Sequence, residues 1–100
     1  KSVYSIGRYK FDAEHETLTL DDVEERLSTR EAAILRCLVE HRGRVVESRE
    51  LLIELWGDDS YYNLRSLNVF VSRLRSKLSK DSSVHISSVR GVGYKLGCKE

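Results

Sequence analysis

Residues 65–78 read RSLNVFVSRLRSKL. Together with the residue before it, this stretch repeats its apolar side chains at spacings of 3, 4, 3 and 4, namely Leu64, Leu67, Val71, Leu74 and Leu78. At that period the side chains fall on one face of an α-helix, and such a face packs against a core. The pattern therefore predicts a helix over about residues 64–80.

The opposite face of this helix carries hydrogen-bond donors and no acidic residue. It presents Arg65, Val69, Ser72, Arg73 and Ser76, with Ser66, Asn68 and Arg75 at its flanks. Arginine pairs with guanine, asparagine with adenine and a small apolar side chain with the thymine methyl group, while serine hydroxyls hold phosphates. The pattern favours a helix that reads duplex DNA in the major groove. The alternative is an ordinary solvated helix, although in so charged a chain such a helix would mix Glu with Lys.

Two shorter helices are predicted before this one. Ser28 and Glu31 have the spacing of a capping box, and apolar residues at helical spacing follow until Gly43. A second helix is predicted to begin at Ser48 and to end at Gly57. The polar residues 58–63 are predicted as a loop.

Short β-strands flank the three predicted helices. Alternating apolar residues between positions 4 and 27 predict up to four antiparallel strands. Residues 85–89 and 94–96 are predicted as a hairpin in which Gly91 and Gly93 supply the positive φ of a tight turn. Arg90 at its tip suits a narrow minor groove; the alternative is a plain hairpin with an exposed arginine. The predicted fold is α+β, a winged helix-turn-helix with an N-terminal four-stranded antiparallel sheet, three helices and a C-terminal β-hairpin wing.

Composition predicts one globular domain over residues 1–100. The chain is 40% hydrophobic and 33% charged, and it contains no methionine, so we expect it to be a piece of a longer protein. No apolar run is long enough to cross a membrane.

Positive charge is concentrated in the last third of the chain. Residues 1–64 hold 9 Lys and Arg against 14 Asp and Glu, whereas residues 65–100 hold 8 Lys and Arg against 2 Asp and Glu. This asymmetry suggests a directional contact with a polyanion, and the alternative is a solvated charged face.

No catalytic or metal-binding constellation is visible in the sequence. Cys37 is predicted as a buried core thiol and Cys98 as a thiol in a terminal tail, which fits a reducing cytoplasm without disulfides. The three histidines have no metal-ligand spacing, and no nucleophile stands beside a base. We therefore predict no metal, no cofactor and no enzymatic activity.

Four ordered motifs resemble the effector domains of OmpR/PhoB-type response regulators. They are residues 27–31 at the first helix, 46–57 at the second, 65–78 at the third and 88–94 at the hairpin. The resemblance implies that the third helix enters the major groove and that Arg90 in the wing, residues 85–96, reaches the minor groove.

The resemblance also assigns roles to individual side chains. It implies base contacts from Arg73, Val69, Asn68 and Arg90. It implies phosphate contacts from Arg65, Ser66, Ser72, Arg75, Trp56 and Tyr94, although a packing role for Trp56 is equally consistent with its apolar stripe. Two positions depart from relatives: position 68 is often Asp in the family, and position 72 is often basic or larger. Both departures concern the choice of target and leave the fold unaffected.

The resemblance further implies partners beyond double-stranded DNA. It implies an upstream receiver domain in cis, a sensor kinase that acts on that domain, direct-repeat DNA sites and a bacterial cytoplasmic location. RNA polymerase would be contacted by the loop that contains Asp58, Asp59, Ser60, Tyr61 and Tyr62. The alternative function is a winged-helix protein-interaction module whose basic face docks an acidic partner.

Overall fold

The computed structural model describes residues 2–98, so the predicted boundary residues 1, 99 and 100, including the basic Lys99, lie outside it. The elements run β1 (Val3–Ile6), β2 (Tyr9–Asp12), β3 (Thr17–Leu20), β4 (Val23–Arg26), α1 (Thr29–Glu40), β5 (Val46–Glu47), α2 (Ser48–Trp56), α3 (Tyr61–Lys77), β6 (Val84–Val89) and β7 (Gly93–Cys98). An antiparallel sheet has the order β1-β2-β3-β4, and a second sheet has the order β5-β7-β6. The predicted fold is confirmed.

The first sheet covers the core with one face. Ile6, Phe11 and Leu18 are fully or almost fully buried, as the alternation of apolar residues predicts. Tyr4 joins this sheet to α1, since its hydroxyl donates a hydrogen bond to Glu40 Oε2 at 2.7 Å. The outer strand β4 is exposed along its whole length, so Val23 is not part of the core.

Helix α1 begins where the capping box predicts. Glu31 N–H donates to Ser28 Oγ at 3.1 Å, and Ser28 N–H donates to Glu31 Oε1 at 2.8 Å. The helix ends at Glu40, three residues before the predicted stop at Gly43. Gly43 has a φ of +80° and donates its N–H to the Leu96 carbonyl at 2.9 Å, so it joins the chain to β7 rather than ending the helix.

The strand β5 was not predicted, and it gives Gly93 a different role. Val46 of β5 pairs with Tyr94 of β7. A β-carbon on Gly93 would collide with the backbone carbonyl of Val46. The prediction of positive φ holds for Gly91, at +76°, but is wrong for Gly93, which lies in a strand and is needed for the close approach of β5.

Helix α3 begins and ends about one turn earlier than predicted. Ser60 is its N-cap, with Ser60 Oγ accepting from Asn63 N–H at 3.3 Å, and Asp58 Oδ1 accepts from Ser60 N–H at 3.0 Å. Tyr61 and Tyr62 therefore form the first helical turn, and the prediction of a loop over residues 58–63 is wrong for them. The prediction started the helix at its first core-facing residue, whereas the polar cap lies one turn before it.

Helix α3 is tied to α1 by apolar packing on its inner face and by one ion pair. Leu67, Val71 and Leu74 are fully buried. Lys77 Nζ lies 2.9 Å from Glu31 Oε1, and the Glu31 side chain is only 4% exposed. Burial raises the pKa of Glu31, but the Ser28 N–H and the Lys77 ammonium outweigh it and hold the pKa below its usual value. These contacts fix the orientation of α3 relative to α1.

Candidate nucleic-acid interface

The outer face of α3 is exposed and has no acidic side chain. Val69 is 50% exposed and lies in a shallow depression of about 340 Å³ that Asn68, Ser72, Arg73 and Ser76 complete. Such an apolar side chain among donors matches the mixed surface of a base edge with a methyl group. We call this face, together with the exposed wing arginine, the α3–wing surface; it comprises Arg65, Asn68, Val69, Ser72, Arg73, Ser76 and Arg90.

The arginines of the α3–wing surface have no acidic partner among residues 2–98. Arg65 lies beside the ring of Tyr61, with 6.0 Å between Cζ and the ring centroid, and Arg73 lies beside Phe70 at 5.5 Å. Aromatic neighbours restrict a guanidinium without neutralising it. Both charges therefore stay available to an anionic ligand.

Trp56 of α2 packs against Phe70 of α3. Its ring lies 6.0 Å from that of Phe70, and the Arg30 guanidinium stacks over it at 4.1 Å from the centroid. Arg30 also donates to the Leu55 carbonyl at 2.9 Å. The half-buried Trp56 therefore has a packing role, and its phosphate contact stays a prediction. Phe70 lies between Trp56 and Arg73, and this role is not predicted from the sequence, because an aromatic residue in a helix is more often part of the hydrophobic core.

The wing places Arg90 at an exposed turn between β6 and β7. The turn is closed by Val92 N–H donating to the Val89 carbonyl at 2.9 Å, and Ser48 N–H at the start of α2 donates to the Val92 carbonyl at 2.9 Å. The tip is thus anchored to a helix as well as to its own hairpin. The wing strands are longer than predicted, and Cys98 lies half-buried in β7 opposite Val84, so its placement in a loose tail is wrong.

A cleft of about 680 Å³ separates α3 from the wing. Ser48, Leu64, Asn68, Arg90 and Tyr94 are among the residues that line it. At its rim Arg49 Nε lies 3.3 Å from Asp59 Oδ2. The two predicted reading elements therefore border one concave surface.

Three side chains predicted to touch DNA already have partners inside the chain. Tyr94 is 7% exposed, and its hydroxyl donates to Asn68 Oδ1. Burial raises the pKa of Tyr94, although Arg75 opposes this change. Arg75 donates from Nε to the Ile86 carbonyl at 2.9 Å and from Nη2 to Ser88 Oγ at 2.8 Å. No local pattern in the sequence predicts these links, because the partners lie 11 to 26 residues apart along the chain.

The remaining predicted residues occupy these positions. Ser66 is half-buried on α3, Ser72 is exposed, and residues 58–60 form the connection between α2 and α3.

Cys37 is half-buried rather than fully buried. Burial raises the pKa of its thiol to about 11, which makes it a poor nucleophile at neutral pH. Within residues 2–98 no group of metal-ligating side chains is assembled, and none of the helices is long and apolar enough to span a bilayer.

Comparison with known proteins places this geometry in a family. Residues 22–96 match the family model described as "Transcriptional regulatory protein, C terminal". The chain belongs to this family. It is a family of DNA-binding transcription-regulator domains and not of enzymes, and the predicted resemblance to response-regulator effector domains is confirmed.

Individual relatives agree with the family assignment. The chain is 36% identical over 95 residues to the transcriptional regulatory protein RprY of Bacteroides fragilis, covering 95% of this chain and 40% of RprY. The RstA DNA-binding domain of Klebsiella pneumoniae, solved in complex with the RstA box, is 30% identical with a TM-score of 0.79, covering 97% of this chain and 98% of that one. The CpxR DNA-binding domain of E. coli, 22% identical with a TM-score of 0.86 and full coverage of both chains, shows the shared fold. The chain spans less than half the length of the curated relatives that it matches.

Proposed function

We propose that this domain binds double-stranded DNA in a sequence-specific manner, with α3 in the major groove and the wing in the adjacent minor groove. The observation that carries the proposal is the α3–wing surface, which joins small polar side chains, an exposed valine and arginines that have no acidic partner among residues 2–98. A helix of this width fits the major groove, and an arginine fits a narrow minor groove. The RstA DNA-binding domain, solved in complex with the RstA box, supports DNA binding by this domain.

Individual roles follow from exposure and from the partners that each side chain already has. Arg73 and Val69 are proposed to contact bases, and Arg90 the minor groove. Arg65 and Ser72 are proposed to contact phosphates, together with the half-buried Ser66. Asn68 is proposed to donate from Nδ2 to a base while its Oδ1 accepts from the Tyr94 hydroxyl.

In the whole protein, we propose that this domain is the output end of a two-component regulator. A receiver domain in cis, a sensor kinase that phosphorylates it, direct-repeat sites and a cytoplasmic location all belong to this proposal. Its support is the family assignment, together with the naming of RegX3 of Mycolicibacterium smegmatis, 34% identical over 96 residues, as a sensory transduction protein.

A contact with RNA polymerase is proposed for the segment before α3 and its first turn. Tyr61 and Tyr62 are 70% and 79% exposed, and they follow the acidic Asp58 and Asp59 and the cap residue Ser60. Exposed aromatic residues of this kind are common in protein interfaces. Alanine at Asp59, Tyr61 and Tyr62 should lower transcription activation while DNA affinity is kept, and activation equal to wild type would rule out the contact.

The proposed function is tested by selecting bound sequences from a random duplex library at near-physiological salt. A recurring short motif, especially as a direct repeat, is expected. A protein-interaction module with a basic docking face would instead bind all duplexes alike, since its attraction to DNA would be electrostatic only. An absence of enrichment together with binding to acidic proteins would therefore replace the DNA-reading proposal.

A further inference from the structure

We propose that Asn68 and Tyr94 form a latch that fixes the wing relative to α3 before any DNA is bound. Both are positioning residues: Tyr94 is engaged inside the domain rather than on a phosphate, and any base contact from Asn68 Nδ2 is made from the orientation that the latch sets. The effect of the latch on DNA rests on the proposed function, whereas its existence in the free domain does not.

Tyr94 is held firmly at its backbone end. It lies in the middle strand of the second sheet, where it pairs with Ser88 of β6 on one side and with Val46 of β5 on the other. Only 7% of the residue is exposed, and its hydroxyl extends to Asn68 of α3. There it donates to Asn68 Oδ1, 26 residues away along the chain. A buried hydroxyl with one partner is costly to leave unpaired, so this bond selects one position of the wing.

Arg75 reinforces the latch through the other strand of the wing. Its guanidinium donates to the Ile86 carbonyl and to Ser88 Oγ, at 2.9 and 2.8 Å, and lies 5.8 Å from the Tyr94 ring centroid. Residues 68 and 75 are two helical turns apart, so they attach α3 to β7 and to β6 at separate points. Two attachments prevent the hairpin from rotating about either one.

The latch has a consequence for recognition. Because Asn68 Oδ1 accepts from the Tyr94 hydroxyl, the Asn68 amide is held in the orientation that this bond sets and meets a base only from that orientation. At the same time, the distance from α3 to Arg90 is set by the protein rather than by the DNA. The domain should therefore require a fixed spacing between the bases read in the major groove and an A/T-rich minor groove beside them.

The first test needs no DNA and uses amide hydrogen exchange in residues 89–93. Tyr94→Phe removes the hydroxyl and should speed exchange of these wing amides by on the order of threefold to tenfold, as expected for the loss of one hydrogen bond. Tyr4→Phe is the matched control, because it also removes the hydroxyl of a buried tyrosine that donates to a side chain, at a distant place in the fold. Wing exchange in Tyr94→Phe that equals that of wild type and of Tyr4→Phe would overturn the latch.

Asn68 variants separate a latch from simple loss of packing. Asn68→Ala removes the acceptor and should speed wing exchange as Tyr94→Phe does. Asn68→Asp keeps an acceptor, and its carboxylate should restore slow exchange, since a bond to an ionised acceptor is stronger than a neutral one. Fast exchange in Asn68→Asp at an unchanged melting temperature would contradict the proposal.

The second test repeats the random-duplex selection with these variants. Wild type and Tyr4→Phe should enrich one spacing between the central motif and its A/T-rich flank, whereas Tyr94→Phe should keep the central motif and broaden the spacing. Complete loss of the motif in Tyr94→Phe, with wild-type exchange in the wing, would show that Tyr94 contacts DNA directly and would overturn the latch. If wild type enriches no sequence, the proposed function fails, and the exchange experiment still decides whether the latch exists.

Discussion

Two parts of α3 use positive charge in opposite ways. Lys77, at the border between the inner and outer faces, meets the buried Glu31 carboxylate at 2.9 Å, with a second hydrogen bond to the Arg26 carbonyl at 3.3 Å. Arg73, one turn earlier on the outer face, is exposed and has no acidic partner among the described residues. A cation that is paired with a buried carboxylate contributes to the fold. Neighbouring cations that have no acidic partner in the domain are suited to binding a polyanion.

The same contrast separates the N-terminal part of the domain from the α3–wing surface. In the former, Arg36 Nε lies 3.2 Å from Glu40 Oε2, and His15 Nδ1 lies 2.9 Å from Asp12 Oδ2, which is an ion pair when His15 is protonated. Changes to the paired groups should therefore alter stability, and changes to the α3–wing surface should alter binding. The predictions below test this separation, beginning with the largest effect.

Replacing Glu31 by alanine should cost about 3 kcal/mol of folding free energy, because it removes a buried partner of Lys77 together with half of the capping box. The free energy of unfolding is measured by urea denaturation. Glu25→Ala, an exposed carboxylate on β4, is the control and should change stability by less than about 0.5 kcal/mol. Equal losses in the two variants would show that the ion pair between Glu31 and Lys77 has no special structural role.

Replacing Arg65 by alanine should weaken binding to all duplexes alike and should lower the slope of log affinity against log salt by about one, since one phosphate contact is lost. The slope is measured by titrating DNA at several salt concentrations, and the melting temperature should stay that of wild type. A slope equal to that of wild type would remove Arg65 from the phosphate contacts.

Acid should destabilise the domain in part through Asp81. The Ser83 hydroxyl, the Arg8 N–H and the Ser83 N–H hold the pKa of Asp81 below its usual 3.8, against the effect of burial. Because the unfolded carboxyl binds its proton first as pH falls, the stabilisation is present above that value and is lost as pH falls through the folded pKa.

Asp81→Asn should therefore lose less stability than wild type between about pH 5 and pH 2. Thermal unfolding across that range measures the difference, with the exposed Asp22→Asn as control. The same pH dependence in wild type and Asp81→Asn would contradict the role of the hydrogen bonds to this carboxylate.

Local signals in the sequence were sufficient for much of the fold. The capping box at Ser28 and Glu31 predicts the start of α1, and Gly57, with a φ of +86°, ends α2 as expected. The start of α3 was misplaced because its first turn, with Tyr61 and Tyr62, contributes nothing to the apolar stripe. Periodicity detects where a helix enters the core, and capping decides where it begins.

Contacts between distant residues account for the rest of the differences. The two-residue strand β5 forms because Val46 pairs with Tyr94 in β7, and no local pattern in the sequence predicts that pairing. Polar residues of α3 were assigned together to DNA, but Asn68 and Arg75 are bound to the wing. Helical spacing identifies the face on which a side chain lies and gives no information on partners from another element.

Base reading by the outer face of α3 is tested by the binding of Arg73→Ala to the selected duplex and to a random duplex, with wild type measured in parallel. We expect the variant to lose about 1–3 kcal/mol on the selected duplex and much less on the random one, at an unchanged melting temperature. The preference between the two would then shrink by about fivefold to about a hundredfold. Equal losses on both duplexes would contradict base reading by the outer face of α3 and would reduce Arg73 to a phosphate contact.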